Sequence, residues 1–162
     1  MAETLQINTL AALDEQYVLL IKQIKSLLNK NDHLITNLAN LTAALKQTFS
    51  KISWVGFYLF DGEKLFLGPF QGKVACTEIK IGSGVCGTAA QKKQTIIVSD
   101  VNKFDGHIAC DVDSKSEIVV PVFKDGKLFG VLDLDSTDFD SFNETDKKYL
   151  EELSDYLSKE II

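Results

Sequence analysis

The chain has 162 residues, a net charge of −6 and a sequence pI near 4.9. That length fits a single domain, residues 1–162, able to bury a core without disulfides or metals. The acidic balance, with no basic stripe, excludes nucleic-acid binding through the overall field. The longest apolar run near the start, Tyr17 to Ile21, stops at Lys22 and is too short to cross a bilayer.

The first third carries helical periodicity. Leu10, Leu13, Tyr17, Leu20, Ile24 and Leu27 recur at the spacing of one helix face. Asn29 to Asp32 breaks the pattern, with Asp32 as the expected N-cap of a second helix. Leu34, Leu38, Leu41 and Leu45 form that helix's apolar stripe. At Ser53 the pattern changes to strands. Trp54 to Phe60, the pair Asp61-Gly62 and Leu65 to Leu67 read as a β-hairpin. Cys76 to Ile81 is a further strand, Val85 to Lys92 a short helix, and Thr95 to Val98 a short buried strand. Residues 99 to 115 are polar and irregular, and a connection of that length inside a domain is often functional. Glu117 to Phe123 and Leu128 to Asp135 form a second hairpin across Lys124-Asp-Gly-Lys127. A last helix starts near Asn143, capped by Asn143 or Thr145, with Leu150, Leu153 and Leu157 as its stripe. The expected fold is α+β: about six antiparallel strands with the N- and C-terminal helices packed on one face.

Three cysteines stand at 76, 86 and 110 with no C-x-x-C spacing, so zinc-ribbon and thioredoxin-like motifs are absent. No metal and no cofactor is expected. With no basic cluster ahead of an apolar stretch at the N-terminus, a cytosolic protein without a structural disulfide framework is expected. Taken alone, the three cysteines read as well as buried apolar residues. Cys110 lies in the long polar segment, where accessible reactive groups concentrate. Cys86 opens the short helix after Gly82-Ser-Gly84, and a helix N-terminus lowers a thiol's pKa. His107 stands three residues before Cys110, but nearness in a loop does not bring an imidazole to a sulfur. His33 reads as surface.

Asp133 and Asp135 flank Leu134 on one strand, so both project from the same face. On pattern alone that is a solvated face. Glu117 opens the neighbouring strand, and hairpin pairing would bring it close to both aspartates. Crowded carboxylates repel, so one retains a proton near neutral pH. Trp54 and Tyr58, four apart on a strand, also share a face. They are core residues or the walls of a pocket. The Gly82-Ser-Gly84 stretch offers backbone N–H groups suited to a carboxylate.

Five strings combine these residues: Trp54-Val-Gly-Phe-Tyr58, Gly82-Ser-Gly-Val-Cys-Gly-Thr88, Gly106-His-Ile-Ala-Cys-Asp111, Ser116-Glu-Ile-Val-Val-Pro121 and Gly130-Val-Leu-Asp-Leu-Asp-Ser136. In this order they resemble free methionine-(R)-sulfoxide reductases, a family of GAF-domain enzymes. The family usually has proline before Gly106. Here Asp105 takes its place, and a less restricted loop leading to Cys110 is expected.

The resemblance implies a GAF-like fold and reduction of free methionine-(R)-sulfoxide. It implies Cys110 as nucleophile, Cys76 as the resolving thiol and Cys86 as an alternative resolver. Substrate is expected to meet Trp54, Tyr58, Glu117, Asp133 and Asp135. Thioredoxin is the expected reductant, and pairing into a homodimer through the terminal helices is compatible with the family. The competing readings are a non-catalytic GAF sensor of a small molecule and a redox sensor built on a Cys76–Cys110 pair.

Overall fold

A computed structural model describes residues 4–106 and 112–162. Six strands form one sheet in the order β3-β2-β1-β6-β5-β4, every neighbouring pair antiparallel. They are β1 (Trp54–Phe60), β2 (Lys64–Gln71), β3 (Glu78–Lys80), β4 (Ile96–Val98), β5 (Ser116–Lys124) and β6 (Lys127–Ser136). The helices are α1 (Leu13–Leu27), α2 (Leu34–Thr48), α3 (Gly84–Lys92) and α4 (Glu144–Tyr156).

Period-2 alternation divides the apolar residues of the sheet between two cores. Val55, Phe57, Ile118, Val120, Val122, Leu132 and Leu134 face α1, α2 and α4, and meet Tyr17, Leu38, Leu45 and Leu153. Trp54, Tyr58, Val119 and Val131 face the other way and pack with Val85, Cys86 and Ala89 of α3. The terminal helices therefore share one face, as expected, and α3 covers the opposite one.

The first hairpin turns at Asp61, whose Oδ1 accepts from the N–H groups of Glu63 and Lys64 at 2.9 Å each. The second turns at Asp125 and Gly126, both with positive φ, the two-residue geometry that matches strand twist. Pro121 sits within β5 at no cost to the ladder. The pairing of β4 runs only from Val119 to Glu117, so no neighbour needs the missing N–H.

Several expectations shift. The stripe from Leu10 extends too far: the Leu10 N–H bonds Asn8 Oδ1 in a turn ahead of α1, and Leu10 is 96% exposed. Asp32 does not cap α2. The cap position is His33, exposed and without a side-chain cap bond, while Asn37 ties back to Asn29 through two hydrogen bonds. Asn143 caps α4 through Thr145 and Asp146. The strand expected from Cys76 forms only at Glu78, because side chains, not a strand ladder, hold the backbone of residues 73–76.

One buried network joins the ends of the domain. Asp146, fully buried, accepts both Lys51 Nζ contacts (2.7 and 2.8 Å) and the Tyr17 hydroxyl at 2.8 Å. It also accepts from the Asn143 N–H. Removing one partner of a buried charge pair leaves the other uncompensated. Asp146→Ala is expected to lower the unfolding free energy by about 3 kcal/mol, read from urea midpoints at constant slope.

Candidate functional site

The cleft lies on the α3 side of the sheet, where β1, β6 and β5 run side by side. Cross-strand pairing builds it in rows. Trp54 opposes Asp135, which opposes Glu117. Gly56 opposes Asp133, which opposes Val119. The alternation that puts Leu132 and Leu134 into the helical core thus sends Asp133 and Asp135 to the other face together. Glu117 stands beside Asp135 in register and diagonal to Asp133, within reach of side chains.

Gly56 is what lets the tryptophan lie down. A Cβ there would stand 2.4 Å from Trp54 Cη2, so any side chain would displace the indole. The indole stacks between Tyr58, at 6.0 Å between centroids, and Phe70, at 5.5 Å. Trp54, Tyr58, Ile79, Cys86, Ser114 and the three carboxylates line the cleft, along with Ser83 to Val85 at the start of α3.

Two lining side chains also hold the roof. Trp54 Nε1 donates to the Lys73 carbonyl at 3.0 Å, and the Tyr58 hydroxyl to the Cys76 carbonyl at 3.0 Å. An ion pair between Lys73 and Asp113 ties this segment to the one after residue 111. Val74 and Ala75 thereby form part of the cleft wall. On the opposite side α3 comes close to the sheet because Gly87 has no side chain. A Cβ there would meet the Lys80 carbonyl at 2.3 Å.

The floor is acidic and buried. Glu117 and Asp133 are 6% and 5% exposed. Burial pushes both carboxyls well above the ordinary carboxylate range, Glu117 further through the neighbouring Asp133 and Asp135, and Asp133 through Asp135. Asp133 Oδ1 is buried without a hydrogen-bond partner. Asp135 is half-buried and accepts from the Ser114 hydroxyl at 2.6 Å. Tyr58 is held protonated by burial and by the same carboxylates, which suits its role as donor.

Cys86 is buried, with its thiol pointing at Glu117 Oε1 at 3.9 Å. Its position at the helix start predicts a lowered pKa, and the structure gives the reverse. Burial and the acidic neighbours push the thiol up, because a thiolate there would face carboxylates in a low-dielectric site. Cys76 is disulfide-bonded and only partly buried. His107 and Cys110 lie outside the described residues.

The structure therefore gathers Trp54, Tyr58, Cys86, Glu117, Asp133 and Asp135 around one cleft, with Cys76 in its roof segment. Sequence reasoning did not single out Ser114 or Gly56. The polar run before β5 holds Ser99 as well as Ser114, and only the β6 register shows which one meets Asp135. No helix among the described residues is long and apolar enough to cross a membrane.

Residues 36–161 match the model of the GAF domain family. The chain is 54% identical to GAF domain-containing protein A of Dictyostelium discoideum, over 94% of this chain and 96% of that one. It is 48% identical to the free methionine-R-sulfoxide reductase of Saccharomyces cerevisiae, over 79% and 76%. Among solved structures, the free methionine-R-sulfoxide reductase of Neisseria meningitidis in complex with its substrate superposes with a TM-score of 0.92. That pair shares 45% identity over 96% of this chain and 93% of the other.

A buried acid with a raised pKa costs stability once it ionises. Its contribution is fully present below the unfolded value near 4.5 and is lost as pH rises through the folded value. Glu117→Gln removes that loss. Its melting temperature relative to wild type is expected to rise steadily as the pH climbs above 4.5, followed by calorimetry across pH.

Proposed function

This chain belongs to the GAF-domain family of free methionine-R-sulfoxide reductases, and we propose that it reduces free L-methionine-(R)-sulfoxide to methionine by a thiol mechanism. The observation that carries this reading is the convergence of three carboxylates, two of them buried and with raised pKa, beneath an aromatic wall in a cleft roofed by the Cys76 segment. That set supplies what reduction of a small zwitterionic sulfoxide needs: an acid, an anion and an apolar face.

In this reading Trp54 takes the S-methyl group against its ring. Asp135, nearer solvent and oriented by Ser114, receives the substrate ammonium through a charge-assisted hydrogen bond. The first-turn N–H groups of α3, which lack intrahelical partners, face the substrate carboxylate. Glu117 and Asp133 then lie where the sulfoxide oxygen acquires negative charge, and their shared proton is available to it.

Cys110 attacks the sulfoxide sulfur as a thiolate. With the oxygen protonated, it passes from the substrate sulfur to Cys110: the substrate S–O bond and the transient S–S bond break, a Cys110 S–O bond forms, and methionine departs, leaving Cys110 as a sulfenic acid. The Cys76 thiol displaces that oxygen as water and forms a disulfide with Cys110. The disulfide-bonded state of Cys76 supports a place for it in such a cycle. A dithiol protein such as thioredoxin returns two electrons by exchange. Cys86, deep and poorly ionised, is assigned a place in the acid cluster and not a nucleophilic one.

The test is methionine release from separate R and S epimers of free methionine sulfoxide, with thioredoxin recycling. Wild type is expected to release methionine from the R epimer alone, and Cys110→Ser from neither. Release by Cys110→Ser at the wild-type rate would remove the nucleophile, and no release by folded, reduced wild type would remove the activity. The carboxylates divide the kinetic effects. Glu117→Gln is expected to lower kcat by roughly 10²–10⁴-fold, the range for loss of a positioned acid. Asp135→Asn is expected to act mainly on KM, lowering kcat/KM about 10–100-fold through loss of a charged hydrogen bond.

A further inference from the structure

Three potential ligand atoms converge on the cleft floor: Cys86 Sγ and one carboxylate oxygen each from Glu117 and Asp133, all within 4.8 Å of one another. The three residues come from α3, β5 and β6, and each is at least nine-tenths buried. Asp133 also carries the oxygen without a partner. A buried acceptor left unpaired costs free energy, and it marks a place where a bound group completes the coordination.

The chemistry of the three donors selects the kind of cation. One sulfur with two carboxylate oxygens suits a borderline or soft divalent ion. Magnesium and calcium take oxygen ligands, six or more of them, and have little use for a thiolate. Zinc bond lengths of about 2.0–2.3 Å place tetrahedral ligands about 3.5 Å apart. The Cys86–Glu117 pair is already near that, at 3.9 Å. The widest pair has to close by about 1 Å, within the reach of side-chain rotation. The side towards the cleft stays open, so the fourth ligand comes from solvent, as in exchangeable sites.

We propose that Cys86, Glu117 and Asp133 form a site for a thiophilic divalent cation of the Zn²⁺ or Cd²⁺ class, which occupies the cleft floor in competition with the amino-acid substrate. Binding changes no oxidation state. The metal–sulfur and metal–oxygen bonds form as the thiol proton and the carboxyl proton pass to solvent, so affinity rises with pH. The site does not need Cys76 or Cys110, and it therefore persists when those thiols are oxidised. The cation site stands independently, whereas the competition rests on the function proposed above.

The full-length Cys76→Ser/Cys110→Ser variant keeps Cys86 as its one thiol and cannot turn over. Titrated with Cd²⁺, it is expected to bind one equivalent and to develop a thiolate-to-cadmium charge-transfer band in the ultraviolet. Adding Cys86→Ser is expected to abolish the band. Glu117→Gln and Asp133→Asn are each expected to weaken binding at least tenfold, about 1.4 kcal/mol. Glu78→Gln, on an exposed strand edge, serves as the control and leaves the affinity unchanged. Circular dichroism of each metal-free variant establishes that it is folded, and if one carboxamide variant is not, the other decides. Absence of the band, or full affinity in the folded carboxamide variants, overturns the site by reducing it to a lone thiol. Free methionine-(R)-sulfoxide is then added to the cadmium complex. Weakened cadmium binding supports the shared cleft. Unaltered binding leaves the cation site in place, and overturns both the competition and the placement of substrate over this floor.

Discussion

The register of β6 between β1 and β5 is the constraint on which the site depends. Val55, Phe57, Ile118, Val120, Leu132 and Leu134 enter the helical core only in that register. A slip of one residue would turn the two leucines into the cleft and both aspartates into the core. Burial on the helical face thus fixes the positions of the carboxylates on the other, without any contact made by the carboxylates themselves. Both outer strands of the triplet are held the same way, so Trp54, Asp135 and Glu117 stand in one row by consequence of apolar packing.

That dependence explains how much was legible in the sequence. The strand faces follow from a period of two, so the shared face of Asp133 and Asp135, and of Trp54 and Tyr58, could be read directly. The proximity of Glu117 needed only the hairpin at Asp125-Gly126, a strong local signal. What was not legible depends on contacts between segments far apart in the chain. Cys76 lies in a stretch of strand-like composition, yet its carbonyl is claimed by Tyr58, 18 residues away. Leu10 keeps the helical spacing but lies before the point where the chain enters α1, and spacing carries no information about where a helix starts. The lowered pKa expected for Cys86 fails for a similar reason, while its packing in the core holds: helix position is local, whereas the burial and the carboxylates that raise its thiol's pKa are not.

The floor gathers its acids at a cost. Two carboxyls and a thiol are withdrawn from water with few donors to satisfy them, and Asp133 keeps one oxygen unpaired. Ionised together they would repel across a few ångströms of low dielectric. The protein lowers the cost by leaving protons in place, which is the state in which a carboxyl donates a hydrogen bond. The stability lost on the floor is made up elsewhere: in the continuous core beneath the sheet, and in the Asp146 network, where a buried charge has a full set of donors.

Trp54 and Tyr58 join floor and roof into one unit. Each presents a ring to the cleft and a polar hydrogen to a roof carbonyl, so the same rotamer that shapes the wall also places the Cys76 segment. A group that displaces either ring must release a roof hydrogen bond, and a roof that lifts must leave a buried indole N–H or phenol O–H without its partner. Closed roof and ordered aromatic wall therefore favour each other. Gly56 is the residue that permits this coupling: the indole reaches Lys73 only by lying across a backbone with no side chain beneath it. Flexibility at the roof is thus set from within the sheet, one strand away from the carboxylate row that the roof encloses.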